Sequence, residues 1–390
     1  MTVVTGVPQG SVLGPILWNI LYDGVLNVSL LEGCRTIAFA DDLALLVDAE
    51  NENYLEFKVN ECLRRIDNWM KKNKLEISPT KSETVLLKHP RKFSNVTFKI
   101  QNQTITTKNC IKYLGILIDN RLKFSEHIKY STRKAEVCAS KITKLLPNIG
   151  GPSSTKRLVL SGVIHSVLLY GSPIWSNALN IKFYRNMMES VQRKIMIRVA
   201  SAYKTVSLRA IEVISGIIPF KLLVEERQVI YENDMKNKDL QKKTERERTL
   251  NKWQTLWNET TTTAQWTKLL IPEIKQWILC KHRRTDYYLT QFLSGHGSFR
   301  NYTHRFQLSE NDKCIYCDLI DSPKHTIFEC ARWTELRHEF YKTINYDICP
   351  NNIISHMISN IKKWEEIHNY IRNIMSLKEN EEREYKRQLI

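Results

Sequence analysis

The sequence predicts an α+β chain: short strands mixed with helices at the start, a long helical stretch, and a small cysteine- and histidine-bearing module near the end. Three observations carry this. Residues 36–47 alternate apolar positions in the manner of half-buried strands. From Ser125 to about Asn251 the apolar residues recur at three- and four-residue steps, the period of a helix with one buried face. Cys314, Cys317, His325 and Cys330 then fall at spacings that can close a tetrahedral metal site.

Composition sets the frame. A chain of 390 residues can hold two or three domains, and 42% hydrophobic content excludes wholesale disorder. The formal net charge of +17 favours a polyanionic partner, nucleic acid before a membrane surface. Nine cysteines, an odd number in a long chain, argue against a disulfide framework and for a reduced, intracellular protein. The most apolar long run, residues 158–175, is interrupted by His165, glycines, serines and Pro173, so no membrane span is expected.

Near the start, GVPQGSVLG (residues 6–14) and Pro15 open a helical run, ILWNILY. Pro8 suits a first turn, and Gly6, Gly10 and Gly14 allow close backbone approach. In TIAFADDLALLV (residues 36–47), Ile37 and Phe39 lead into a turn and Leu43, Leu45 and Val47 lead out, which places Asp41 and Asp42 at a hairpin tip. A turn of this kind can present carboxylates to a divalent metal, although Asp also favours such turns for its backbone angles alone.

GVPQGSVLGP followed about two dozen residues later by FADD resembles the reverse transcriptases of non-LTR retrotransposons, especially the I/jockey-like groups. The resemblance implies a polymerase palm. In it Gly6, Pro8, Gln9, Gly10 and Ser11 line the pocket for nucleotide and template, Asp41 binds a catalytic Mg2+, and Asp42 supports it. Two-metal chemistry needs carboxylates from two places. The family supplies the other from a strand before the GVPQG loop, whereas five residues precede Gly6 here. The expectation is therefore a partial palm, a half-built metal site and no activity of the chain alone.

Further elements follow in order. Leu55, Val59, Leu63, Ile66 and Met70 mark an amphipathic helix ending near Lys74, expected on the back of the Asp41 hairpin. LEISPTKSETVLL reads as a turn and a short strand, and by resemblance Lys81 approaches the phosphates of the incoming nucleotide; a solvated turn lysine is the alternative. VTFKI and TITT form a hairpin around Asn102. KYLGILID reads as one strand, whose Tyr113, Leu114 and Gly115 match the family's primer grip at the palm and thumb junction.

The helices from Ser125 resemble the thumb, residues 121–231. Ile128, Ala135, Cys138, Ile142 and Leu145 form one buried face, and Phe183, Met187, Val191, Ile195 and Val199 another. Lys129, Arg133, Lys134, Lys141 and Lys144 edge the first, and Arg185, Arg193, Lys194 and Arg198 the second, as a groove tracking a duplex backbone would require. Residues 232–285 read as a charged helical linker, with Trp253, Trp257, Trp266 and Trp277 better suited to core packing than to base stacking.

Residues 286–345 form the zinc-binding region, similar to the CCHC segment of the same elements. A structural Zn2+ would take Cys314, Cys317, His325 and Cys330, with His304 and His338 as substitutes. Arg300, Tyr302, Arg305, Phe306, Arg332 and Trp333 flank the site as a rim for unpaired bases. Residues 346–390 form a helical tail, frayed or exposed from Lys378 onward. The resemblance implies an RNA template, a DNA primer or target, deoxynucleoside triphosphates and a nuclear location. The alternative reading is a non-catalytic RNA- or DNA-binding remnant.

Overall fold

A computed structural model describes residues 7, 10–87, 96–233, 238–344 and 346–388. The chain divides into two compact units, residues 1–127 and 128–390, and it is mixed α+β as expected. Gly6, Pro8 and Gln9 lie outside the described residues.

In the first unit, helix α1 (Gly14–Leu26) follows the glycine-rich loop, and β1 (Cys34–Phe39) and β2 (Asp42–Val47) form an antiparallel hairpin. Helix α2 (Glu52–Lys72) starts where the Asn51 side chain accepts a hydrogen bond from the Tyr54 N–H at 2.9 Å. It buries Leu55, Cys62, Ile66 and Met70. Ile66 and Met70 pack with Tyr22 and Val25 of α1 and with Ala38, Leu43 and Leu45 of the hairpin, so α2 does lie behind the strands that carry the two acids.

The large apolar positions of β1 are not its covered ones. Thr36 and Ala38 turn inward, while Ile37 and Phe39 are 50% and 63% exposed. Because Phe39 pairs with Asp42 and Ile37 with Ala44, Asp42 shares the outer face with both. The alternation of apolar residues was right in period, but both faces carry apolar side chains, and the smaller ones fit against Tyr22 and Met70.

Strands β3 (Thr84–Val85), β4 (Thr97–Ile100) and β5 (Gln103–Lys108) make a second sheet in the order β3-β5-β4. Ile100 pairs with Gln103, so the expected hairpin around Asn102 forms. Strands β6 (Cys110–Tyr113) and β7 (Ile116–Asp119) form a third hairpin. Here the single strand expected over KYLGILID is corrected. Leu114 (φ 44°) and Gly115 (φ 82°) are its turn, both left-handed, which is the backbone of a tight hairpin loop that matches strand twist.

Helix α3 (Ser125–Lys144) begins at the end of the first unit. The second unit continues through α4 (Ser154–Leu168), α5 (Ser172–Trp175), α6 (Lys182–Val199), α7 (Leu208–Ser215) and α8 (Phe220–Glu232). Its core includes Ile164, Leu168, Trp175, Val191, Ile195 and Val199. Phe183 and Leu145, expected inside, are 63% and 65% exposed, and Met188 and Leu146 are buried instead. Among the described residues no single helix is long and apolar enough to cross a membrane.

Over 232–285 the chain forms α9 (Lys238–Asn258), α10 (Gln265–Leu270) and α11 (Ile274–Leu279). Trp253, Trp257 and Trp277 are buried there, and the indoles of Trp257 and Trp277 donate to Ile271 and Val213 carbonyls at 2.9 and 2.8 Å. Arg246 grips Glu226 with two nitrogens, fastening α9 to α8.

The remainder comprises α12 (Tyr287–Ser294), α13 (Arg300–His304), α14 (Thr334–Thr343), α15 (Ile353–Ser359) and the long α16 (Ile361–Gln388). The expected frayed tail is corrected by α16, in which Lys378, Glu379 and Glu382 are buried. Lys378 Nζ meets Asp321 Oδ2 at 2.8 Å, and Arg300 Nε meets Glu382 Oε1 at 3.2 Å. Each buried charge has a partner of opposite sign, which makes its burial tolerable.

Candidate metal centres and nucleic-acid interface

The paired acids stand where two strands reverse. Phe39 pairs with Asp42, so Ala40 and Asp41 alone make the turn, and Ala40 takes φ 52°, a conformation unfavourable to a residue with a Cβ. Asp41 and Asp42 are exposed. Helix α1 holds this turn from the side. Trp18 Nε1 donates to the Ala40 carbonyl at 2.9 Å and the Tyr22 hydroxyl to the Asp41 carbonyl at 3.4 Å. Burial, and then the charges of Asp41 and Asp42, push the Tyr22 phenol above its usual range, so it stays a donor at neutral pH.

Trp18 and Tyr22 are the residues that sequence reasoning passed over. Their signal was present: two hydrogen-bonding aromatics one helical turn apart in an otherwise aliphatic run. Of the glycine-rich loop, Gly10 (φ 84°) and Ser11 are described, and Ser11 accepts the Gly14 N–H at 3.3 Å just before α1. The structure thus brings the loop's helix and the acidic turn into direct contact.

Lys81 ends a short 3-10 turn, Pro79–Lys81, and its side chain is exposed. Tyr113 sits at the end of β6 with a buried hydroxyl that has no partner among the described residues. Two exposed carboxylates can hold one face of a divalent cation. Among the described residues no third histidine, cysteine or carboxylate joins them. The donor set fits half of a two-metal site.

The second centre is complete. Cys314, Cys317, His325 and Cys330 place their ligand atoms within 4.8 Å of one another. The Sγ of Cys330 lies 3.8 Å from those of Cys314 and Cys317, and Cys317 Sγ lies 3.1 Å from His325 Nε2. Tetrahedral Zn–S bonds of about 2.3 Å require sulfurs about 3.8 Å apart, so the cluster is compatible with zinc.

Local backbone makes this cluster. Cys314 N–H bonds to Leu319 O, Asp318 N–H bonds back to Cys314 O, and Asp318 adopts φ 54°, which reverses the chain between the first two cysteines and Asp321. A single π-helical turn, His325–Glu329, then brings Cys330 N–H to His325 O at 2.7 Å. The hydrogen bond from Cys330 pushes the Cys314 thiol below its usual range, favouring a thiolate in the cluster. His304 bonds instead to Ser309 O, and neither it nor His338 joins the group.

The expected base-stacking rim is corrected in part. Arg300 is buried against Glu382, Tyr302 bonds to Thr205 at 2.6 Å, Trp333 is 2% exposed, and Arg332 pairs with Glu381 at 2.7 Å. These side chains support the module from within. Arg305 and Phe306 remain exposed. On α3 the outer face carries Arg133, Lys134, Lys141 and Lys144, all exposed. On α6, by contrast, Arg193 donates to Val206 O and Lys194 pairs with Glu136.

Comparison with known proteins agrees with this geometry. Residues 1–118 match the family model "Reverse transcriptase (RNA-dependent DNA polymerase)". A Pol polyprotein of the type-1 retrotransposable element R1 2 from Nasonia vitripennis is 27% identical over 356 residues, covering 85% of this chain and 87% of the relative. These matches support a reverse transcriptase of the non-LTR retrotransposon type.

Two longer relatives extend the match. A 115 kDa protein of the element R1DM from Drosophila melanogaster is 28% identical over 358 residues, and an R1 Pol polyprotein from Bradysia coprophila is 24% identical over 362. Each alignment covers 86% of this chain but 34% and 35% of the relative, so the chain spans about a third of their length. No solved structure matches.

Proposed function

We propose that this chain is the palm, thumb and zinc-bearing part of an RNA-directed DNA polymerase that extends a DNA primer on an RNA template. The observation that carries the reading is the pair of hydrogen bonds from Trp18 and Tyr22 to the turn bearing Asp41 and Asp42. They tie the helix after the nucleotide-binding loop to the carboxylates that would face the reacting phosphate.

In this reading Gly6, Pro8, Gln9, Gly10 and Ser11 bound the nucleotide and template pocket. Asp41 ligates Mg2+ and Asp42 orients it. Lys81 neutralises the departing pyrophosphate, and the Leu114–Gly115 turn with Tyr113 carries the primer end. Bound Mg2+ would lower the charge on the phosphate and activate the primer hydroxyl. Two-metal chemistry calls for a further carboxylate beside Asp41 and Asp42. Among the described residues the outer face of the β1–β2 hairpin is an uncovered apolar surface on which a carboxylate-bearing strand would pack, with Ile37, Phe39 and Leu46 50%, 63% and 44% exposed.

Structural Zn2+ on Cys314, Cys317, His325 and Cys330 would fix the C-terminal module. The test is primer extension with Mg2+ on an RNA template. Extension, by the chain alone or supplied with the preceding segment of a relative, should be abolished by Asp41→Ala. Extension by the isolated chain that survives Asp41→Ala would refute the assignment. The second reading, binding without catalysis, is favoured by the cationic face of α3, and sequence-independent RNA binding that outlasts Asp41→Ala would support it alone.

A further inference from the structure

The second unit contains a cavity of about 310 Å3 lined by His282, Arg284, Ile361, Trp364, Glu365, His368 and Asn369, none of them a residue of the two centres described above. We infer that it holds one unpaired nucleotide of a single-stranded nucleic acid. The inference rests on the reading of the chain as a nucleic-acid-binding protein, and it assigns a site that the polymerase reading does not use.

The walls divide by chemistry. Ile361 and Trp364 supply an apolar side, and Glu365 and Asn369 stand one and two turns along the same helix with polar ends. A carboxylate accepts and an amide both donates and accepts, which suits the edge of a base. Arg284 is exposed and forms no ion pair or hydrogen bond among the described residues, so its guanidinium is available to a phosphate. The volume lies at the small end of ligand cavities, about 300–1,000 Å3, enough for a single such unit and too narrow for a base pair with its backbones.

Two further facts point to a ligand. Trp364 is 2% exposed, yet its indole Nε1 finds no acceptor among the described residues, an uncommon state for a buried donor. The surrounding groups are already braced. His282 Nε2 lies 3.2 Å from Met357 O with its ring edge-on to Trp364, and His368 Nε2 lies 3.0 Å from Asp286, whose other oxygen caps α12 through Leu289 N–H. A preformed cavity costs less ordering on binding. Glu365 would repel a bare phosphate, so the base is part of what is recognised.

Duplex nucleic acid keeps its base edges paired and stacked, and it would engage the cationic face of α3 without entering this cavity. The two modes therefore separate. Full-length chain would be titrated, by fluorescence anisotropy, against an adenine-homopolymer RNA and against a blunt duplex of the same length. Arg284→Gln and Asn369→Ala, both at exposed positions, should each weaken single-strand binding about fivefold to tenfold and leave duplex binding within about twofold. Thermal melts of the variants would confirm an unchanged fold.

Equal losses on both ligands, or no loss on either, would overturn the cavity assignment while leaving the chain a nucleic-acid binder. If the parent chain binds neither ligand, the wider reading fails and this inference with it. As a second measurement, photocrosslinking a single strand carrying a thio-substituted base should label residues 361–369, and labelling confined to other peptides would refute the site.

Discussion

Lys378 Nζ and Asp321 Oδ2 stand 2.8 Å apart with side chains 2% and 0% exposed, joining the last helix to the strand-like approach of the cysteine cluster. Asp321 also receives the Arg300 N–H at 2.8 Å and the Thr326 hydroxyl at 2.8 Å. Every oxygen of this buried carboxylate is occupied. Removing one partner leaves a buried charge without compensation. Lys378→Met should therefore destabilise the second unit by about 3–5 kcal/mol. Urea titration of the chain followed by tryptophan fluorescence checks it, and a change near zero would show the pair to be dispensable.

The metal cluster gives an independent expectation. The purified chain should carry one zinc, and chelation, or Cys330→Ser, should remove it and loosen residues 314–330 first, because a structural site contributes its binding energy to folding. Hydrogen exchange resolved by peptide would locate the loss. A purified chain with no zinc and unaltered protection would contradict the assignment.

Ala40 takes φ 52° in a turn that fixes the direction of Asp41. Glycine adopts that conformation without a Cβ penalty, and the Ala40 carbonyl that receives Trp18 is kept. Ala40→Gly should stabilise the first unit slightly, by up to about 1 kcal/mol once the extra chain entropy of glycine is deducted. A fall in melting temperature would mean that entropy outweighs the strain.

Glu212 supplies the pH dependence. Burial drives its carboxyl up to about 7, with Arg209 beside it only partly opposing the shift. The folded value lies above the unfolded one, so the unfolded chain releases its proton first as pH rises. Stability from this group is whole below about pH 4 and declines up to about pH 7. Glu212→Gln should flatten the fall in stability over that window. An unchanged pH profile in chemical denaturation would remove Glu212 from the account.

Elements with one unmistakable period were legible in the sequence. The hairpin around Asp41, the helix through Leu55 and Met70, and the Cys314–Cys330 cluster all form where spacing put them. Failures occurred where composition is the same on two sides. Residues 43–47 are apolar without a break, so nothing in them says which face of the hairpin is covered. KYLGILID reads as a strand because Leu114, an apolar residue, occupies a left-handed turn position usually given to Asn, Asp or Gly. The mixed charges of residues 378–382 look solvated, since a sequence does not show that Asp321 and Arg300 wait on the other side.

The seam between α16 and the cysteine cluster also orders events in time. The helix closes it with Tyr370, Lys378, Glu381 and Glu382, which reach Ile327, Asp321, Arg332 and Arg300. A nascent chain emerges with the cysteines first and these counterparts last. Until translation has passed Glu382, the Asp321 and Arg300 side chains lack their charged partners and the cysteine cluster has no floor. Ribosome stalling before residue 378 would leave a polypeptide that contains Cys314, Cys317, His325 and Cys330 and still fails to set them rigidly.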